Sequence, residues 1–267
     1  MFKIIGMTKL IWKLFKIVLT LLLAFLMYVV IGGVVPFLHH PDVSQTKKEA
    51  VESTQFYSDS VGPDRATIIE DNEEALKMRL RVIKDAQKTL ILSTFDFRSD
   101  DAGKDILAAL LNAADRGVKV EIFADGFNSI IQMENNDYFY ALSSNKNIKI
   151  IIYNQVNILI PWNGLGRMHD KYVIADDSLY ILGGRNTFGY FLGDYAGHKN
   201  YDRDVLVYNT GSKASSIYQI KDYYKKITSQ KCCSVFHCNE SLGEKNSVKK
   251  AEQELKNRYE SLENKYD

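Results

Sequence analysis

The segment "HDKYVIADDSLYILGGRN" (residues 169–186) combines polar side chains with two short apolar runs. The runs "KYVIAD" and "LYILGG" are separated only by Asp177 and Ser178, a spacing typical of a tight β-hairpin. Successive side chains of a strand point to opposite faces, so His169 and Lys171 project from the same face. The segment therefore predicts a hairpin that holds two basic side chains together.

The second run of the hairpin returns Gly183, Gly184 and Asn186 beside that face. Glycines let a ligand approach the backbone closely, and cationic and amide donors hold the charge that builds up on a phosphodiester during displacement. Lys171 and Asn186 fit that role. A neutral imidazole is a competent nucleophile at physiological pH, which makes His169 the candidate nucleophile. Taken singly, His169 could be a hydrogen-bonded core histidine and Lys171 a lysine that reaches solvent. Those roles do not explain why all of the polar and glycine residues of this segment occur together at these spacings.

Helices and strands alternate along the chain before the hairpin. The apolar spacing predicts helices at 72–87, at 103–115 and through the 130s, and strands at 89–97, 119–125 and 148–154. A further strand at 204–209 and a helix at 212–228 follow the hairpin. Because the hairpin interrupts this alternation, we expect an α/β fold in which a mixed sheet lies between helical layers, an α-β-α arrangement.

The N-terminal region contains 22 uncharged residues from Ile17 to Leu38. A helix of that length crosses a hydrocarbon layer of roughly 30 Å. A buried core helix seldom runs so far without a polar residue, and a cleaved signal peptide has an apolar run of only about 7–15 residues. We therefore predict one transmembrane helix that serves as a signal anchor.

Basic residues precede this span at Lys3, Lys9, Lys13 and Lys16. The positive-inside rule then predicts a cytoplasmic N-terminus, a single pass through the cell membrane and an extracytoplasmic catalytic domain.

Five regions follow from these patterns. They are a basic N-terminus (1–16), the transmembrane anchor (17–38), a polar linker (39–65), a catalytic domain (66–230) and a charged tail (231–267). The tail has few large apolar residues and many opposite charges three or four positions apart, which predicts a solvated helix or a linker.

The amino-acid composition limits which partners and cofactors the chain is expected to bind. The chain has 34 basic and 33 acidic residues, so no global field favours nucleic acid. Cys232, Cys233 and Cys238 fit none of the common zinc spacings, and a local disulfide that leaves one thiol over is the favoured interpretation. We expect neither a metal nor another cofactor.

The spaced set resembles the signature of the phospholipase D superfamily, H-x-K-x4-D followed by G-[GS]-x-N. The matching residues are His169, Lys171, Asp176, Gly183, Gly184 and Asn186. The stretch 95–125 resembles the first half of bacterial cardiolipin synthases and related membrane phospholipases, and "YDRDVLVYNTG" (201–211) resembles their Arg-Asp strand. The resemblance covers about 66–228.

The resemblance implies a metal-free mechanism through a phosphohistidine. It assigns attack on phosphorus to His169, support of the motif to Asp176, and substrate contacts to Gly183 and Gly184. In the family an acidic residue beyond the motif orients the nucleophilic imidazole, and Asp204 is the candidate, with Asp202 as the alternative.

The implied function is hydrolysis of membrane phospholipids or phosphatidyl transfer between them. Family sites need two histidines, whereas this chain has one motif, so we expect a homodimer or a partner half that carries a second motif. A single-motif nuclease and a catalytically incomplete half are the rival interpretations. We expect phospholipid and membrane partners and no nucleic acid.

The loop "VNILIPWNGLG" (156–166) directly precedes the motif. Its aliphatic residues and Trp162 would sit at the level of lipid headgroups, or else fold over the core of the protein itself. On the first interpretation Trp162 contacts substrate.

Overall fold

The computed structural model describes residues 2–38, 42–45, 48, 59–237 and 240–266. The chain divides into two compact units. The N-terminal unit comprises Met1–Glu52 together with Val156–Gly166, and the second unit comprises Ser53–Gln155 and Arg167–Asp267.

The N-terminal unit is built on one long helix, α1 (Phe2–Val34), which ends in a short 3-10 helix (Val35–Leu38). The stretch Lys9–Leu38 is long and apolar enough to cross a membrane, with a mean hydropathy of 2.7 in its most apolar window, and none of that window is buried. The predicted anchor at 17–38 falls inside this candidate membrane span.

The second unit alternates strands and helices. The strands are β1 (Asp64–Ile69), β2 (Thr89–Thr94), β3 (Lys119–Asp125), β4 (Ile148–Tyr153), β5 (Tyr172–Ala175), β6 (Leu179–Gly183), β7 (Asp204–Asn209) and β8 (Cys233–Val235). The helices are α2 (Asn72–Asp85), α3 (Asp101–Asp115), α4 (Gly126–Gln132), α5 (Asp137–Ser144), α6 (Ser216–Thr228), α7 (Glu240–Gly243) and α8 (Asn246–Tyr266).

All eight strands form one sheet in the order β1-β7-β6-β5-β2-β3-β4-β8. Strands β2, β3 and β4 are parallel, and the remaining pairs are antiparallel. The predicted hairpin is strands β5 and β6, with Tyr172 opposite Leu182. The predicted mixed sheet is confirmed.

Side chains of the central strands alternate between two apolar cores. Leu90 and Leu92 of β2 pack into the larger core under helices α2, α3, α5 and α8, whereas Ile91 packs into a smaller core under α6. Burial on both faces explains why these strands are continuously apolar. The sheet therefore lies between helical layers, as expected.

The charged tail is not a solvated helix. Val248, Ala251, Leu255, Tyr259 and Leu262 of α8 are buried. Their spacing of three and four residues makes one apolar stripe, which is enough to dock an otherwise polar helix. The sequence prediction was wrong on this point because it counted large apolar residues rather than their periodicity.

The tail is also tied to the domain by ion pairs. Arg258 of α8 binds Asp105 of α3 at 2.5 Å and Asp101 at 3.3 Å. The tail is therefore part of the same compact unit as the sheet.

The structure has two edge strands that the sequence analysis did not predict, and it contains two short helices where one was predicted. β1 pairs with β7 along six residues, and β8 pairs with β4. The helix expected through the 130s is two short helices, α4 and α5, with Asn135 between them at a positive φ of 56°.

Candidate active site

His169 and Lys171 lie in the extended segment that leads into β5. Their side chains meet, with Lys171 Nζ 3.0 Å from His169 Nδ1. Lys171 also donates to the His169 carbonyl oxygen at 2.7 Å. Lys171 is only 5% exposed, whereas His169 is open to solvent. The structure thus places a buried ammonium behind an accessible imidazole.

The contact between Lys171 and His169 favours one tautomer of the neutral imidazole. A protonated lysine can only donate, so Nδ1 accepts and the neutral ring carries its proton on Nε2. Attack through Nε2 needs the other tautomer, with a free lone pair on that atom. The ring has a lone pair on Nε2 only when Nδ1 carries the proton and no longer accepts from Lys171.

The surroundings keep His169 neutral. Desolvation lowers the pKa of His169, and the charges of Lys171 and Arg167 lower it further, against opposing effects of Asp125 and Asp170. Burial likewise lowers the pKa of Lys171, while Asp170 and Asp202 act in the opposite direction. A neutral imidazole is the form that can attack phosphorus.

Arg167 is a third basic residue of the site, and the sequence analysis missed it. Its guanidinium donates to both carboxylate oxygens of Asp125 at 2.6–2.9 Å and lies 4.9 Å from the ring centroid of Phe95. The Phe95 ring packs on His169, with centroids 4.3 Å apart. The pattern R-x-H-x-K, three basic residues with the same alternation, was the available signal.

Asp125 joins the site to the sheet. It ends β3, is fully buried, and caps α4 by accepting hydrogen bonds from the N–H groups of Phe127 and Asn128. It also accepts from the N–H of Met168 at 3.1 Å. The carboxyl ends of β2 and β3 therefore hold the segment that carries His169, as is usual for sites on parallel strands.

Asn186 faces the end of β2. Its amide oxygen accepts from the N–H of Asp96 at 3.2 Å. Its amide NH₂ group has no hydrogen-bond partner in the part of the chain that the structure describes, and it remains available to a ligand oxygen.

The glycines of the motif make room for two carboxylates. A Cβ atom on Gly183 would overlap the Asp204 carboxylate, and one on Gly184 would overlap that of Asp202. The close approach expected of a ligand is thus made here by side chains of the same chain.

Asp204 is fully buried, and two arginines bind it. Arg79 and Arg185 donate to its Oδ2 at 2.8 and 3.1 Å, and Arg185 is itself fully buried. Asp202 is partly exposed, and its charge raises the pKa of Lys171. Asp204 thus lies in a buried cluster with two arginines, whereas Asp202 acts electrostatically on Lys171.

Asp176 lies at the other end of β5 from His169. Its carboxylate accepts three hydrogen bonds at 2.8 Å, from the N–H groups of Gln87, Lys88 and Thr89. It adopts a positive φ of 52° in the hairpin turn. Its contacts support the hairpin.

A surface pocket of about 460 Å³ opens beside the motif. His169, Asp170, Lys171 and Gly183 form one wall. The other walls come from α6 and from apolar residues, namely Tyr172, Tyr180, Leu182, Ser216, Gln219, Ile220 and Tyr223. Such a pocket suits a ligand that has both a charged and an apolar part.

Asp170 is tied to the α6 wall. Tyr223 donates to its carboxylate at 2.8 Å, and burial together with this bond raises the pKa of Tyr223 to about 12. Tyr223 is therefore a protonated donor at physiological pH.

The remaining described histidines have other partners. His198 contacts Asn200, and His237 contacts Glu134. His39 and His40 lie outside the described residues. Among the histidines that the structure covers, His169 alone lines the pocket.

Metal ligands are not grouped anywhere in the described part of the chain. Cys232 and Cys233 carry free thiols, and Cys238 lies outside the described residues.

A family model described as "Cardiolipin synthase, PLD-like domain" matches residues 80–227, more than half of the chain. The chain belongs to the phospholipase D superfamily. The match contains the whole motif and the α6 wall of the pocket. Members of this superfamily act on phosphodiester bonds.

Curated relatives of this phospholipase D-like chain include cardiolipin synthases. Cardiolipin synthase B of Salmonella typhi is 32% identical over 142 residues, covering 52% of this chain and 34% of the relative. Cardiolipin synthase B of Escherichia coli K12 is 31% identical over 144 residues, covering 53% and 34%. The chain spans about a third of the length of these relatives.

A solved structure, NucT from Helicobacter pylori, has the same phospholipase D fold. It aligns with a TM-score of 0.51 at 23% identity and covers 65% of this chain and 99% of NucT.

Trp162, predicted to contact substrate, belongs to the N-terminal unit. Its contact with substrate stays a prediction.

Proposed function

We propose that this phospholipase D-like domain cleaves the phosphodiester of an anionic phospholipid and transfers the phosphatidyl group to water or to a lipid alcohol. The observation that carries the proposal is that His169 and Lys171 line a pocket that also has apolar walls, while Arg167 lies on the Phe95 ring that packs against His169. A phosphodiester would meet the basic residues, and the glycerol backbone would meet Leu182 and Ile220.

The reaction proceeds in two displacements. In the first, Nε2 of His169 forms a bond to phosphorus while the bond from phosphorus to the headgroup oxygen breaks, and the headgroup alcohol leaves with a proton. In the second, water or the hydroxyl of another lipid attacks the phosphohistidine, loses its proton and releases the imidazole. Phosphatidylglycerol gives phosphatidic acid with water, and cardiolipin with a second phosphatidylglycerol.

Substrate binding prepares the nucleophile. The phosphodiester oxygens draw the Lys171 ammonium away from Nδ1 of His169, because a charged acceptor is stronger than a neutral ring nitrogen. Exchange with water then removes the proton from Nε2 and adds one to Nδ1, so that Nε2 presents its lone pair to phosphorus. Asn186 donates its amide NH₂ to a second phosphoryl oxygen, and Arg167 adds positive charge at the entrance.

The leaving alcohol needs a proton donor. His169 is the nucleophile, and the other described histidines are engaged elsewhere. We place the donor on a second motif, supplied by His169 of another copy of this chain across a two-fold axis, or by a partner half that carries its own motif.

The anchor keeps the enzyme at its substrate. The candidate span Lys9–Leu38 and the basic residues before Ile17 support a single-pass membrane protein with a cytoplasmic N-terminus. The catalytic unit then acts on the extracytoplasmic leaflet.

The test is product analysis with the full chain in phosphatidylglycerol vesicles. We expect cardiolipin or phosphatidic acid from the wild type and neither from His169→Ala. His198→Ala is the matched control, because that histidine contacts Asn200 outside the pocket. Its products should equal those of the wild type.

Two other outcomes would replace this proposal. Cleavage of single-stranded DNA with no lipid product would identify a nuclease. A folded protein with no turnover of lipid, DNA or an activated phosphodiester would identify a catalytically incomplete half.

Mixed protomers test whether the site is shared. If each site needs two copies of His169, activity falls with the square of the wild-type fraction, to about a quarter in an equal mixture with His169→Ala. Independent sites would retain about half.

A further inference from the structure

The N-terminal unit joins the candidate span to the loop Val156–Gly166. The Tyr28 hydroxyl of α1 donates to the carbonyl oxygen of Leu159 at 2.8 Å. The Trp162 ring meets the Tyr28 ring edge-on, with centroids 6.4 Å apart. A hydrogen bond and a ring contact therefore hold the loop against the helix.

Gly32 adds a third contact. A Cβ atom at this position would overlap the Pro161 ring, so the loop approaches the helix backbone as closely as only glycine permits. Gly33, the next residue, has nothing within 4 Å of the equivalent position. The loop thus docks on one defined side of α1.

The loop is uncharged, and its apolar side chains face outward. Ile158 is 58% exposed, Leu159 is 65% exposed and Trp162 is 48% exposed. Pro161, against Gly32, is buried. Exposed aliphatic and indole groups without a charge are typical of a membrane-contacting surface.

The positions on α1 that contact the loop determine how deep the loop would lie in the hydrocarbon layer of a membrane. If the hydrocarbon layer begins at Ile17, after Lys16, a rise of about 1.5 Å per residue puts Tyr28 roughly 17 Å and Gly32 roughly 23 Å into it. In a layer of roughly 30 Å, these residues lie about 13 and 7 Å below the far boundary. Interfacial elements insert about 5–10 Å, so the depth at Gly32 falls within that range and the depth at Tyr28 lies a few ångströms beyond it.

We propose that the loop Val156–Gly166 is inserted into the outer leaflet beside α1, as a second membrane element that precedes the catalytic motif along the chain. Its occupant is the acyl region of the same bilayer that α1 crosses, because the loop is bound to residues within that span. The inference rests on the membrane anchoring in the proposed function.

Fluorescence depth measurement tests the insertion. The chain has two tryptophans, so Trp12→Phe leaves Trp162 as the single reporter. The variant is reconstituted in phosphatidylcholine–phosphatidylglycerol vesicles whose acyl chains are brominated near the headgroup or near the bilayer centre. We expect strong quenching of Trp162 by the shallow bromines, weaker quenching by the deep ones, and little quenching by aqueous iodide.

Extraction of the same vesicles with alkaline carbonate distinguishes a failure of loop insertion from a failure of membrane anchoring. If the protein stays in the membrane but Trp162 is quenched by iodide and not by bromine, the protein is anchored and the loop is not inserted. That result would refute the inference and leave the membrane anchoring intact. If carbonate releases the protein, the anchoring in the proposed function has itself failed, and the inference falls with it.

Adjacent glycines give a matched pair of variants. In the Trp12→Phe background, Gly32→Leu should displace Pro161 and reduce bromine quenching of Trp162 at least twofold, whereas Gly33→Leu should leave it unchanged. Equal quenching in both variants would show that the loop is not held in the membrane by its contact with α1.

Discussion

The Lys171 ammonium lies 3.0 Å from Nδ1 of His169 and donates at 2.7 Å to the carbonyl oxygen of the same residue. In a neutral ring this contact places the proton on Nε2, the atom that we propose attacks phosphorus. In the proposed mechanism, Nε2 can attack only after a phosphodiester has drawn Lys171 away from Nδ1. Substrate binding and activation are one event in this account.

The pH dependence of His169 follows from the same contact. Burial and the charges of Lys171 and Arg167 lower its pKa, so the neutral ring persists below the ordinary pKa of about 6.5. Reactivity is lost as the pH falls through the lowered pKa. We expect Lys171→Met to move that loss to higher pH, because one of the depressing charges is gone.

The measurement is the pH profile of carbethoxylation of His169 by diethyl pyrocarbonate, followed by mass spectrometry. Lys149→Met is the control, since Lys149 is an exposed residue of β4. An acidic limb that does not move in Lys171→Met would show that the ammonium has no influence on the imidazole.

Asp202 and Asp204 should respond differently to removal of their charge. Asp204→Asn weakens a cluster of two arginines around a buried carboxylate, and breaking such a cluster costs about 3–5 kcal/mol. We expect poor folding from Asp204→Asn. We expect Asp202→Asn to fold and to lose turnover, because Asp202 is partly exposed and its charge raises the pKa of Lys171.

Thermal unfolding in detergent and turnover per folded molecule separate these effects. The assignment reverses if Asp204→Asn is stable but inactive while Asp202→Asn is fully active. In that case Asp204 orients the imidazole.

Asp176 should matter for stability more than for chemistry. Its carboxylate accepts three backbone hydrogen bonds, and hydrogen bonds to charged groups contribute about 1.5–3 kcal/mol each when buried. Because Asp176 is partly exposed, we expect Asp176→Ala to cost about 2–4 kcal/mol in total, with turnover retained at low temperature. Thermal unfolding measures the loss.

The neighbouring Asp177 provides the control. It forms an ion pair with Lys221 at the surface, so Asp177→Ala should cost less than about 1 kcal/mol. If Asp176→Ala is as stable as Asp177→Ala but inactive, Asp176 acts in catalysis.

The C-terminal helix should be required for folding. Leu255 is fully buried, and a Leu→Ala change at such a site costs about 2–5 kcal/mol. Lys256→Ala, at the next, exposed position, should cost less than about 1 kcal/mol. Equal thermal unfolding of the two variants would mean that α8 does not stabilise the catalytic unit.

The sequence predicted the hairpin and the mixed sheet because strand periodicity and turn residues are local signals. It also predicted that His169 and Lys171 meet, because alternation along an extended segment decides which side chains share a face. Both features depend on neighbours within a few residues.

Long-range partners could not be predicted in this way. The position of Asp204 between Arg79 and Arg185 depends on the pairing of β7 with β6 and on the packing of α2. The pairing of Arg167 with Asp125 depends on where β3 ends. The docking of α8 depends on five apolar residues in a mostly charged helix, a signal that composition conceals.

The covalent intermediate is the most direct test of the account. Full-length protein is mixed with phosphatidylglycerol that carries a radioactive phosphate, quenched rapidly in denaturant at alkaline pH, digested and analysed by mass spectrometry. We expect a phosphatidyl group on His169 that is labile to acid and absent from His169→Ala. Turnover with no adduct on His169, or lipid turnover that persists in His169→Ala, would contradict it.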